Sequence, residues 1–147
     1  MNLITKKICM SKDIGVHGNL FGGILMSWID EAAAAFVTEY CHTPNMVTLR
    51  VGELIFKKPV KSGNHLRIYG EVVHLGTTSI TINIEVKKYN LYSGEESIVC
   101  TTNTTFVRID DDGTPTPIGE TIRQNHAKAE EAKKAPMLVK EISEVWN

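Results

Sequence analysis

The chain has 147 residues, 42% of them hydrophobic and 22% charged, with a formal net charge of −1. That length suits one domain able to bury roughly two thirds of its unfolded surface. The charge balance excludes a global basic field for nucleic acid, while leaving room for one small anionic ligand held by local lysines. Cys9, Cys41 and Cys100 are odd in number and show no CxxC or Cys/His spacing, so neither a disulfide framework nor a metal site is expected. The opening MNLITKKICMSKD carries its charges too early for a signal peptide, and no uncharged apolar run reaches about 18 residues. The expectation is a reducing cytoplasm and no membrane span.

In chain order, residues 3–10 alternate loosely with β-branched side chains and predict a first strand. SKDIGVHGN follows as a loop rich in glycine and turn formers. Residues 21–40 predict one long helix with the pair Gly22-Gly23 at its start. HTPN breaks it, because Pro44 disfavours a helical residue before it. Strands come next. The first is MVTLRVGELIFK, residues 46–57, in which Gly52 marks a bulge or bend. Pro59 and Ser62-Gly63 turn the chain into LRIYGEVVH, residues 66–74. After a turn at 76–79, ITINIEVKKYN alternates almost strictly and sets Ile80, Ile82, Ile84 and Val86 on one face. LYSGEES reads as a hairpin turn, and residues 98–109 as the last long strand, ended by DDDG.

Residues 119–134 predict a solvated helix carrying Glu130, Glu131, Lys133 and Lys134, interrupted at Pro136. The tail MLVKEISEVWN has apolar residues at helical spacing, suited to docking elsewhere. The order β-α-β-β-β-β implies an α+β domain over residues 1–118 with a mainly antiparallel sheet, followed by a helical tail over 119–147. The long helix is apolar on nearly every side, which describes a helix wrapped by the sheet.

Within that apolar helix stands a carboxylate pair, Asp30-Glu31. Burying a carboxylate is costly unless something in the site needs it. At 100° per residue, Gly23, Met26, Ser27, Ala33, Ala34 and Val37 fall within about 60° of Asp30, while Phe21, Leu25, Trp28, Ala32, Ala35 and Phe36 cluster opposite. Small residues around Asp30 let a second chain or a slim ligand approach. Glu31 points about 100° away, which makes Asp30 the better candidate. Two readings stay open: Asp30 pairs with a Lys or Arg from the sheet, or it carries chemistry. The glycine pair likewise either permits close packing or presents free N–H groups as an anion or oxyanion site.

Gly22 and Asp30 are eight residues apart, about 12 Å along a helix. One reacting carbonyl needs its oxyanion donor and its carboxylate both within about 3 Å or one water. A single helix cannot supply both. If both serve one site, they come from different subunits, with two such helices antiparallel across a two-fold axis.

HGNLFGGILMSWIDEAA resembles the helix signature of the hotdog-fold acyl-CoA thioesterases, particularly their YciA-like and brain-type acyl-CoA hydrolase branch. LIFKKPVKSGNHLRIYGEVVHLGTTSITINIEV is similar to the strands that follow in that family, with its F-x-K-P-x-x-x-G turn, and TTNTTFVRIDDDGTPTPI to its closing strand. The resemblance covers roughly residues 13–118. It implies hydrolysis of acyl-CoA to free acid and CoA, with no metal and no cofactor beyond the CoA of the substrate. It also implies an acid on the central helix, matched by Asp30, as general base or nucleophile. A glycine N–H at the helix start, matched by Gly22 beside Gly23, polarises the carbonyl. The subunits work at least as homodimers and often as trimers of dimers.

Two positions depart from the pattern. Gly15 stands where this branch commonly has an Asn that orients substrate or water, leaving His17 or Asn19 to stand in. Thr77, in the turn Gly76-Thr77-Thr78-Ser79, stands where a basic residue often helps hold CoA. The hydroxyls of Thr77, Thr78 and Ser79 bind phosphate less strongly than a charge does. Lys57, Lys58 and Lys61 remain as candidates for the nucleotide end, or as solvated strand-end lysines. Besides a thioesterase, the residues accommodate a non-catalytic acyl-CoA-binding or sensing module. A hotdog dehydratase ranks third, because that chemistry wants a His base and the helix has none.

Overall fold

Strict alternation around Ile80 makes a strand that buries only one face, and that face needs a cover. The structure, a computed structural model, describes residues 1–146, with side chains through residue 134. The apolar spacing of the tail at 137–147 lies outside the described side chains. The elements are β1 (Asn2–Ile8), α1 (Gly22–Cys41), β2 (Met46–Val51), β3 (Ile55–Phe56), β4 (His65–Leu75), β5 (Ser79–Tyr89), β6 (Glu96–Arg108) and α2 (Glu120–Trp146). The six strands form one antiparallel sheet in the order β1-β4-β5-β6-β2, with β3 also paired to β6. The sheet packs around α1, a hotdog arrangement.

Ile80, Ile82, Ile84 and Val86 are all fully buried under α1, together with Leu66 and Ile68 of β4 and Phe106 of β6. The helix answers with Leu25, Ile29, Ala32, Ala33 and Val37. That spacing of i, i+4, i+7, i+8 and i+12 is one helical stripe. It centres on Ile29, about 100° from Asp30 and on the side away from Glu31. Ala33 and Val37, within about 60° of Asp30 on the wheel, therefore lie in the core, while Phe21 and Ala35 of the opposite group are exposed. Asp30 itself is exposed on the single chain, next to exposed Met26 and Ser27. A carboxylate there meets no burial penalty until something covers that face.

The helix ends where HTPN begins: His42 takes the left-handed C-cap conformation at φ 53° and returns its N–H to the Glu39 and Thr38 carbonyls. Three expectations change. Phe21 is the N-cap of α1 rather than its first residue. The single strand expected over 46–57 is two, β2 and β3. Gly52 gives its N–H to the Asn103 carbonyl at 2.7 Å, and a Cβ there would stand only 2.9 Å from that oxygen, so the backbone departs from the ladder where no side chain fits. Finally, α2 runs through Pro136, whose missing N–H does not end it. Its first turns rest on the domain through Ile122 and a hydrogen bond between the Tyr40 hydroxyl and Nδ1 of His126 at 2.8 Å.

Candidate active site

The loop before α1 places the helix start. Ile14 and Leu20 form a bridge, the Gly15 N–H donates to the Asn19 carbonyl at 2.8 Å, and Gly18 turns the chain at φ 77°. This small hairpin holds His17 at its exposed tip. Asn19 lies at the hairpin's base. The Leu20 N–H is anchored to the Val60 carbonyl at 2.7 Å, and the Phe21 N–H to the Asp13 carbonyl at 2.9 Å. Among the described residues, the N–H groups of Gly22 and Gly23 have no acceptor. They are the first donors of a twenty-residue helix, where backbone N–H groups lack intrahelical partners and the dipole favours negative charge.

Gly22 opens into a groove of about 460 Å³ shared with Asn19, Phe56, Lys57 and Lys58. The Lys61 ammonium donates to Oδ1 of Asn19 at its edge, at 2.5 Å. Asp30 opens into a different groove of about 310 Å³, shared with Gly23, Ser27, Thr48 and Val51. There Oδ1 of Asp30 accepts a hydrogen bond from the Thr48 hydroxyl at 2.8 Å. Its partner is thus a neutral hydroxyl from β2, and among the described residues Asp30 makes no ion pair. Thr48 was not among the residues singled out from the sequence. Neighbours across a helix-to-strand contact leave no mark on sequence spacing.

The fold therefore brings together Gly22, Asn19, Lys57 and Lys58 in one place, and Asp30 with Gly23 in another. It does not bring Thr77, Thr78 and Ser79 to either groove. They close the β4–β5 turn, where the Gly76 N–H donates to the Ser79 carbonyl at 2.8 Å and the Thr77 carbonyl accepts from Ile118 at 2.7 Å. Glu31 is exposed, and no hydrogen bond of its side chain is seen among the described residues. Beside the Asp30 groove runs the free edge of β2. Val47, Leu49 and Val51 are exposed there, with Ile55 and Phe56 of β3 continuing the apolar stripe.

A helix start with free donors, a carboxylate two turns along it and a sheet around both form one recognisable constellation. The thioesterase superfamily model matches residues 17–94, more than half of the chain. The chain belongs to the thioesterase superfamily. Among its relatives in that superfamily, the acyl-CoA thioester hydrolase YciA of Salmonella typhimurium is 36% identical over 124 residues, covering 79% of this chain and 89% of the relative. An uncharacterized acyl-CoA thioester hydrolase of Bacillus subtilis, YkhA, is 33% identical over 106 residues, covering 72% of this chain; the chain spans only 61% of that relative's length. A hexameric hotdog-fold thioesterase of Campylobacter jejuni superposes with a TM-score of 0.75 at 33% identity, covering 86% of this chain and 97% of that one. For this thioesterase-superfamily chain, no described helix is long and apolar enough to cross a membrane.

Proposed function

We propose that the protein hydrolyses acyl-CoA thioesters to the free acid and CoA. The observation that carries this reading is the division of labour on α1: unpaired N–H groups at Gly22, and the Asp30 carboxylate held by Thr48 eight residues on. The names of the relatives supply the substrate class. The Gly22 N–H stabilises the oxyanion that forms as the thioester carbon becomes tetrahedral. Asp30 either takes the proton from an attacking water or attacks that carbon itself. In the first route the C–S bond breaks, the acyl carbon keeps the water's oxygen as the free acid, and the proton held by Asp30 passes to the sulfur of CoA; in the second CoA leaves as the thiolate, and water then cleaves the Asp30–acyl anhydride, which releases the free acid, restores the carboxylate and supplies the thiol proton. No metal is invoked.

Gly22 and Asp30 open into separate grooves of one chain, about 12 Å apart along the helix. One site then takes Gly22 from one subunit and Asp30 from its partner. The unpaired edge of β2, with its apolar stripe, suits a two-fold homodimer in which that face is covered. The hexameric relative supports a further assembly of three dimers. Asn19 and the lysines 57, 58 and 61 contact substrate, the lysines through CoA phosphates. The compartment proposed is the cytoplasm, from three cysteines that are all free and buried.

The test is a panel of acyl-CoAs with a thiol-release readout on wild type and Asp30→Asn. Hydrolysis is expected in wild type and loss of at least tenfold in the variant, with Glu31→Gln far milder. The reverse ranking moves the acid to Glu31. A second reading, a non-catalytic acyl-CoA binder, is favoured by Gly15 at the position of the family's Asn. Tight acyl-CoA binding without thiol release would select it.

A further inference from the structure

The groove at Gly22 is built from apolar side chains: Leu20, Leu25, Phe56, Pro59, Val60 and Val99. Leu25, Val60 and Val99 at its deep end are buried, whereas Lys57, Lys58 and Phe56 at its rim are exposed. Two features show how the fold makes it. First, the β5–β6 ladder skips a residue: Val86 pairs with Cys100 but Lys87 pairs with Ile98. Val99 is the extra residue of a bulge. Bulges re-aim a side chain, and here both Val99 and Cys100 point inward and are fully buried, which strict alternation forbids. The bulged Val99 carbonyl accepts the Lys57 N–H at 2.7 Å, which ties the far wall to the segment carrying Phe56.

Second, Phe56 sits on the two-residue strand β3, half exposed, with its ring against the helix start. A Cβ on Gly22 would stand 3.5 Å from Cζ of that ring. The ring is therefore the roof of the groove at the very residue whose N–H receives the carbonyl.

We infer that this groove takes the acyl chain of the thioester and that Phe56 and Val99 set the chain length accepted. The inference rests on the function proposed above. The alternative occupant is the pantetheine arm of CoA, which carries two amides and a hydroxyl. Burying those against Leu25, Val60 and Val99 leaves them without partners, and an unpaired buried amide is penalised. An alkyl chain has no such groups. With the carbonyl at Gly22, the acyl chain runs inward past Val99 and the CoA runs outward over the lysine-bearing rim.

The experiment measures binding and turnover separately. In an Asp30→Asn background, dissociation constants are determined for CoA and for straight-chain acyl-CoAs from acetyl to palmitoyl. Each methylene that enters the groove should tighten binding about fourfold, from the transfer free energy of a buried CH₂, until the groove is full. Phe56→Ala should move that break to longer chains by two carbons or more. Val99→Ile, which adds one methylene to the wall, should move it to shorter chains. Gel filtration and a thermal melt establish that each variant is folded. A break that neither variant moves, an affinity independent of chain length, or no acyl-CoA binding at all overturns the inference. So does a change in affinity for CoA alone as large as that for acyl-CoAs, which places the pantetheine arm in the groove. Thiol release by the wild type is read alongside. If it is absent for every acyl-CoA, the hydrolase reading fails while the dissociation constants still decide the occupant.

Discussion

Subunit complementation tests the pairing of Gly22 with a partner's Asp30 most directly. Gly22→Pro removes one backbone donor and little else. Residue 22 is the first of α1, a position that tolerates proline. Phe21 before it lies at φ −65° and ψ 128°, the conformation a residue preceding proline prefers. No described residue accepts the Gly22 N–H, so the fold loses no hydrogen bond. Losing one oxyanion donor should lower kcat about 10²- to 10³-fold. Asp30→Asn should lower it by a further-reaching 10²- to 10⁴-fold, on the order of a general base's contribution. Homo-oligomers of either variant are then nearly inactive. In a mixed dimer, one site combines the intact Gly22 of one chain with the intact Asp30 of the other, and the second site is doubly broken. Activity returns to about half the wild-type value per mixed dimer, and to about a quarter for a randomly assorted co-expression, by counting sites under two-fold symmetry. The assay is thiol release on preparations whose composition is fixed by native mass spectrometry. Background activity in folded, assembled mixed dimers would refute the reasoning. The control is Gly22→Ala. Its Cβ meets Phe56 Cζ at an ordinary 3.5 Å, and Gly22 is not among the glycines with positive φ, so the alanine variant should stay active.

Thr48→Val removes the hydroxyl that donates to Asp30 at 2.8 Å. Turnover should fall tenfold or more with little change in melting temperature, since Thr48 is exposed; unchanged turnover would show that Thr48 does not position Asp30. Neutralising Lys57, Lys58 or Lys61 should raise KM for acyl-CoA more than it lowers kcat, with an effect that shrinks in added salt and vanishes for a short thioester lacking the nucleotide. Equal losses on both substrates would assign the lysine to folding. Gly15→Asn should fold normally, because a Cβ there meets Phe21 Cδ2 at 3.6 Å, and should raise turnover by supplying the family's side chain. A lower rate, checked by the same thiol release, would show that Asn19 already fills the role. The thiols of Cys9, Cys41 and Cys100 are all pushed up, chiefly by burial. Their contribution to stability is therefore complete below the ordinary thiol pKa and is lost as pH rises through it towards the folded values. A thiol reagent at neutral pH should label none of them until denaturant is added, and rapid labelling of the native protein would contradict the burial.

What the sequence exposed and what it hid divide along physical lines. Ile80, Ile82, Ile84 and Val86 were legible because a strand's period of two is a property of the chain itself. The long helix and its acid were legible for the same reason. Which side of that helix the sheet covers was not. Angles on a wheel place Ala33 near Asp30, and only packing shows that the buried stripe centres on Ile29 and takes Ala33 with it. That His17 and Asn19 stand apart depended on a seven-residue hairpin whose tip carries one and whose base carries the other. Thr48 and Phe56 reach the site through tertiary contacts, and the bulge at Val99 hides inside a run, SIVCTT, that reads as unbroken strand.

The long strand β6 has a metric consequence for any attempt to re-engineer this protein. Thr48 pairs with Phe106, and Phe56 pairs with Cys100, so the residue hydrogen-bonded to Asp30 and the residue whose ring lies against Gly22 are spaced by six residues of a single strand. That is a ruler of about 20 Å, at 3.3 Å per residue. Loops can be lengthened without disturbing it. A pair of residues inserted between positions 100 and 106 preserves facing and slides Thr48 away from Phe56 by about 7 Å, whereas a single inserted residue turns one half of the strand inside out unless the ladder absorbs it as a bulge, as it does Val99. The spacing of Thr48 from Phe56 within one chain is thus graduated in dipeptides of β6.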